Sequence, residues 1–157
     1  MTRRSEVLWW KGLKEKDLLE MSFVLAQKAL PAWNNFDHHT AVKLELKPLP
    51  ENALKEIEAT VKGFHNSQKL NEHFTYFITP VIQIRDGYLK YPYEVKLSFL
   101  AVFHILHGIV ATNVTSARQA FFHSITRASD AIKIAGILTS EEIASLTQKY
   151  YLLSQKG

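Results

Sequence analysis

The sequence predicts a mainly α-helical single domain over residues 1–157, with about five to six helices packed around a buried central helix, Pro92–Ala111. The arrangement expected is orthogonal or bundle-like. Three observations carry this. Apolar residues recur at three- and four-residue spacing through most of the chain. The run Leu97–Ala111, LSFLAVFHILHGIVA, is apolar apart from Ser98, His104 and His107. Length and composition fit one globular core: 157 residues, 46% hydrophobic and 22% charged.

The elements follow in order. Leu18, Met21, Leu25 and Ala29 mark one face of a helix from about Lys14 to Ala29, which Pro31 is expected to end. Trp9, Trp10 and Trp33 flank it and are expected to close the two ends of the core. Asn34–His39 has loop composition, with His38 and His39 read as solvated. Ala41–Lys47 alternates Val42, Leu44 and Leu46 with Lys43, Glu45 and Lys47, the period-two pattern of a half-buried strand. Pro50 and Glu51 suit a helix start, and Leu54, Ile57, Val61 and Phe64 continue it towards Asn66 or Gln68.

Residues 71–93 support two readings. His73, Phe74, Phe77 and Ile78 fit a helix broken by Pro80. Alternatively, residues 81–91 fold as a small hairpin about Asp86-Gly87, pair with residues 41–47 and make the domain α+β. Pro92 and Glu94 open the central helix, and Gly108 within it calls for a close neighbour. Thr115 or Ser116 is expected to cap the next helix, whose Ala117, Ala120, Ser124, Ala128, Ala131 and Ala135 form a small-residue stripe facing Gly108. Gly136 ends it. Thr139-Ser140-Glu141-Glu142 is a capping box for a last helix with Ile143, Leu146, Tyr150 and Leu153 inward.

Several function classes are excluded or disfavoured. With no cysteine, disulfides and thiolate metal sites cannot form, and a reducing cytoplasmic setting is expected. No segment has signal-peptide form, and 15 apolar residues rise roughly 22 Å as a helix, short of a bilayer core, so no membrane partner is expected. The net charge is +4, but apart from Arg3, Arg4, Lys11, Lys14 and Lys16 the basic residues are scattered among acidic ones. Nucleic acid is therefore not an expected partner. There is no glycine loop for phosphate and no nucleophile elbow. Ser98, Ser124 and Ser129 fall within helices, where a hydroxyl bonds back to its own helix. Arg118 and Arg127 fall on opposite faces of one helix, and Arg127 is expected to pair with Asp130.

Two candidate sites remain. His104 and His107, at i and i+3, could share a ligand with His123 and His73, and a divalent transition metal is the alternative to having no cofactor; the alternative function is then a metal- or small-ligand-binding helical protein, an enzyme included. The bland reading of the first two is satisfied core imidazoles. The strip Tyr88, Lys90, Tyr91 and Tyr93 mixes tyrosine with lysine around a turn, a composition enriched at protein interfaces. The favoured function is a non-enzymatic binding domain whose partner is another protein or a second copy. The order of elements resembles small all-helical bacterial immunity-type proteins: a helix ending Ala29-Leu30-Pro31-Ala32-Trp33, a Pro50-initiated helix, then Ala- and His-containing helices. That resemblance implies a protein-binding role.

Overall fold

The structure is a computed structural model that describes residues 9–156. Arg3 and Arg4 lie outside the described residues. Among the described residues a short 3-10 turn, Trp9–Gly12, precedes eight α-helices: α1 (Glu15–Asn34), α2 (Ala41–Leu46), α3 (Leu49–Val61), α4 (Ser67–Arg85), α5 (Tyr93–Val110), α6 (Val114–Ile134), α7 (Ser140–Leu146) and α8 (Gln148–Lys156). No strand occurs among the described residues, and the fold is mainly α as predicted.

The core is the triangle of α1, α5 and α6, with α4 and α3 laid against α5. Phe99, Val102, Ile105 and Leu106 of α5 are fully buried, as are Leu18 and Leu25 of α1 and Ile125, Ala128 and Ile132 of α6. By length and composition α5 is also apolar enough to cross a membrane, with half of its residues buried inside the fold. The close approach expected at Gly108 is real, but its partner is an aromatic ring. A Cβ there would lie 2.5 Å from Cε1 of the buried Phe121.

Three buried serines lock the triangle. Ser98 Oγ of α5 donates to the Ala29 carbonyl of α1 at 3.0 Å, and Ser124 Oγ of α6 donates to the Ala101 carbonyl of α5 at 2.7 Å. Ser22 Oγ of α1 bonds its own helix at the Leu18 carbonyl, 2.7 Å, and reaches the Phe121 carbonyl of α6 at 3.3 Å. The expectation that Ser98 and Ser124 bond back to their own helices is thus corrected: small neighbours bring another helix's carbonyls within reach.

Other departures have equally local causes. Residues 41–47 form no strand. Thr40 caps a one-and-a-half-turn helix by accepting from the Lys43 amide, and only Leu46 is buried. The hairpin at 81–91 is likewise overturned. Helix α4 runs through Pro80 to Arg85, and Asp86-Gly87 is its C-terminal cap, with Gly87 at φ 83°. The Gly87 amide donates to the Ile84 carbonyl and the Tyr88 amide to the Gln83 carbonyl at 2.8 Å, the paired bonds of a Schellman cap. Pro31 does not end α1, which continues to Asn34. Pro31 is on the exposed side, where water can meet the carbonyl it leaves unpaired, and the fully buried Trp33 holds the last turn inward.

The α3 helix stops at Val61, short of the expected Asn66 or Gln68. Asn113 rather than Thr115 or Ser116 caps α6, accepting from the Ser116 amide at 2.8 Å. Gly136 and the capping box from Thr139 to Glu142 are as expected. The last helix is two pieces broken at Thr147; Tyr150 is buried but Leu153 is exposed. Arg118 binds the carbonyls of Leu13 and Lys11 at 2.8 and 2.9 Å, tying the N-terminal segment to α6. Among the described ion pairs there is none between Arg127 and Asp130.

Candidate functional site

The packing of α5 on α6 brings three of the four candidate histidines together. His104 and His107 lie one turn apart on α5, and His123 and Arg127 one turn apart on α6. The His104 and His123 rings are 5.3 Å apart between centroids. His107 stacks on Phe74 of α4 and Phe103 of α5, at 5.8 and 6.0 Å. Burial holds His104 down to about 3, helped by the neighbouring His123, Arg127 and His107. His123 is held below the ordinary histidine range by burial, then by Arg127 and His107. Both rings are therefore neutral at neutral pH, and Nδ1 of His104 is buried with no hydrogen-bond partner.

His73 stays apart on α4, with its ring edge-on to Tyr76 at 6.3 Å. No group of three or more His, Asp or Glu among the described residues is placed to hold a metal ion. Among the described residues no hydrogen bond or ion pair joins a carboxylate to His104 or His123. Chemically, the cluster is an aromatic-faced patch with one fixed positive charge.

The tyrosine strip divides by residue. Tyr88 is 81% exposed and Tyr93 55% exposed, and Lys90 is exposed between them. The Lys96 ammonium lies over the Tyr93 ring at 5.2 Å. Tyr91 points the other way, into a cluster with Trp33 (5.0 Å), Phe36 (5.5 Å) and His38 (5.8 Å). Burial pushes its hydroxyl up to about 12, and that hydroxyl has no hydrogen-bond partner. Tyr91 anchors the strip; Tyr88, Lys90 and Tyr93 present it.

This anchoring cluster was not visible in the sequence. His38, read as solvated, is 3% exposed; its Nε2–H donates to the Trp33 carbonyl at 2.8 Å. Trp33 in turn donates from Nε1 to the Lys47 carbonyl at 2.9 Å, and the Lys43 ammonium sits 5.0 Å from the Tyr91 centroid and 5.5 Å from that of Phe36. Loop composition at Asn34–His39 concealed an aromatic plug that covers the end of α1. The only available signal was the density of Trp33, Phe36 and His38 beside a helix end. His39 is exposed, as expected.

Comparison of the chain with family models, curated proteins and solved structures finds no match in any of the three.

Proposed function

We propose that this chain is a non-enzymatic binding module that contacts another protein, or a second copy of itself, through Tyr88, Lys90 and Tyr93. The observation that supports it is exposed aromatic area on a fixed backbone. Tyr88 and Tyr93 project from a connection held by the Schellman bonds behind and by Tyr91 packed beneath. Tyrosine on a preorganised loop contributes contact area with little ordering cost on binding. The absence of cysteine suits a cytoplasmic setting for this role.

The test is the native size of the tagged chain in extracts of its source cells. The 18.0 kDa chain should run in a larger species, and the Tyr88→Ser/Tyr93→Ser double variant should run as a monomer with an unchanged melting temperature. A native-like size distribution for the double variant would exclude the strip. A second reading, a small-ligand site at His104, His107 and His123, is supported by their convergence beside Arg127. Zinc titration followed on the histidine ring NMR signals tests it; shifts shared by all three rings would support it, and unmoved signals would exclude a metal there.

A further inference from the structure

Beside the tyrosine strip, an open cleft of about 320 Å3 lies where the C-terminal ends of α1 and α6 meet the start of α5. Ala32, Val95 and Ile137 form the apolar part of its lining, with the Phe36 ring on one side, and polar surface makes up nearly as much of it. Asn35 and Ala135, the C-cap residues of α1 and α6, both line it, so two helix dipoles turn their negative ends to this space. The opposing positive end of α5 carries Glu94 in its first turn, also in the lining.

Glu94 is the only charged one among the described residues of the lining, and it is half-buried. Among the described residues no ion pair or hydrogen bond engages its carboxylate: the ion pairs present are Lys62–Glu58, Arg85–Asp86 and Lys149–Glu20. The plain role for Glu94, stabilising the α5 terminus, needs neither the cleft nor the two converging C-termini. The adjoining aromatic cluster already holds one cation, the Lys43 ammonium over Phe36 and Tyr91. Carboxylate, aromatic face, apolar side chains and two negative helix ends together select a positive head on an apolar stem.

We infer that this cleft is a socket for a lysine or arginine side chain of the polypeptide that docks on the tyrosine strip. The inference rests on the interface reading above, since Pro92 and Glu94 of the lining flank Tyr93 in sequence. A polypeptide side chain is favoured over a free amine because the cleft is open to solvent and does not enclose a ligand on all sides.

The experiment is an amide NMR titration of the full-length chain with three capped peptides, Ala-Lys-Ala, Ala-Arg-Ala and Ala-norleucine-Ala, and with free butylamine. The two basic peptides should shift Phe36, Glu94 and Ala135. Binding should weaken at least tenfold for the norleucine peptide, for Glu94→Gln, and for Ala32→Leu, which fills the cleft without touching its charge. Butylamine should bind at least tenfold more weakly than the basic peptides. Equal binding of the norleucine peptide, shifts unaltered in Glu94→Gln, or no shifts at all would overturn the socket. Butylamine binding as tightly as the peptides would overturn the side-chain assignment in favour of a free-amine site. The Tyr88→Ser/Tyr93→Ser variant separates the two readings. If it becomes monomeric while the peptides fail to bind, only the socket falls; if the peptides bind but its native size is unchanged, the strip falls.

Discussion

Gly108 and His104 lie one turn apart on α5, and both make their surroundings measurable. In an open helix Gly108→Ala would gain about 1 kcal/mol of helix propensity. Here the added methyl would meet the buried Phe121 ring at 2.5 Å, and overpacking of that kind costs about 1–3 kcal/mol. Urea denaturation should show Gly108→Ala to be net destabilised, with Phe121→Leu restoring part of the loss. A more stable Gly108→Ala would mean that the two helices are not in contact there. His104 sets a pH dependence. Its folded-state value is about 3 against an ordinary 6.5, so between those values the unfolded chain takes up a proton that the folded chain refuses. The stability present above pH 6.5 is lost as pH falls towards 3, by up to about 1.4 kcal/mol per pH unit. Denaturation at pH 7 and pH 4.5 should show a loss in the native chain on the order of 2 kcal/mol greater than in His104→Leu. Equal losses would show that His104 is open to water.

Among the elements, the three serine hydroxyls decide how closely α1, α5 and α6 approach. Ser98→Ala and Ser124→Ala each remove a buried inter-helix hydrogen bond and should each cost about 1 kcal/mol by urea denaturation. Ser129→Ala serves as the control, at a half-buried position of α6. No loss at Ser98 and Ser124 would show that packing alone sets the spacing. The long helices α1, α5 and α6 were legible because their 3.6-residue period holds over four or more turns, and so were the capping box at Thr139 and the turn at Gly136. Residues 41–47 were not legible. Alternation over seven residues fits a strand or a short capped helix equally, and without a partner strand the Thr40 cap prevails. Asp86-Gly87 misled for a related reason: positive φ serves a Schellman cap as well as a hairpin, and only the burial of Phe77, Pro80 and Ile84 along one face of α4 distinguishes them. Pro31 and Pro80 were read as breaks because proline removes one hydrogen bond, a loss that anchoring of the flanking turns by Trp33, Phe77 and Ile84 outweighs.

For the whole molecule, the candidate site was half legible. The association of His104, His107 and His123 could be anticipated from adjacent helices, and the tyrosine strip from its composition. Which tyrosine faces inward could not, because that depends on the plug of Trp33, Phe36 and His38, distant in sequence from Tyr91. The division of labour predicts opposite outcomes on one connection. Tyr91→Ala should cost about 3 kcal/mol through lost aromatic packing, whereas Tyr88→Ser and Tyr93→Ser should stay within about 0.5 kcal/mol of the native chain. Thermal denaturation of the three variants checks this, and a destabilised Tyr88→Ser would show that Tyr88 supports the fold.

The most direct test of the binding role is photo-crosslinking in living source cells, with a photoreactive amino acid placed at Tyr88 or, as a control, at the exposed Lys62 of the α3 cap. Position 88 should give one discrete adduct that position 62 does not, with a mass showing whether the partner is a second 18.0 kDa chain or another protein. No adduct from position 88, or the same diffuse pattern from both positions, would contradict the proposal that the tyrosine strip is a binding surface.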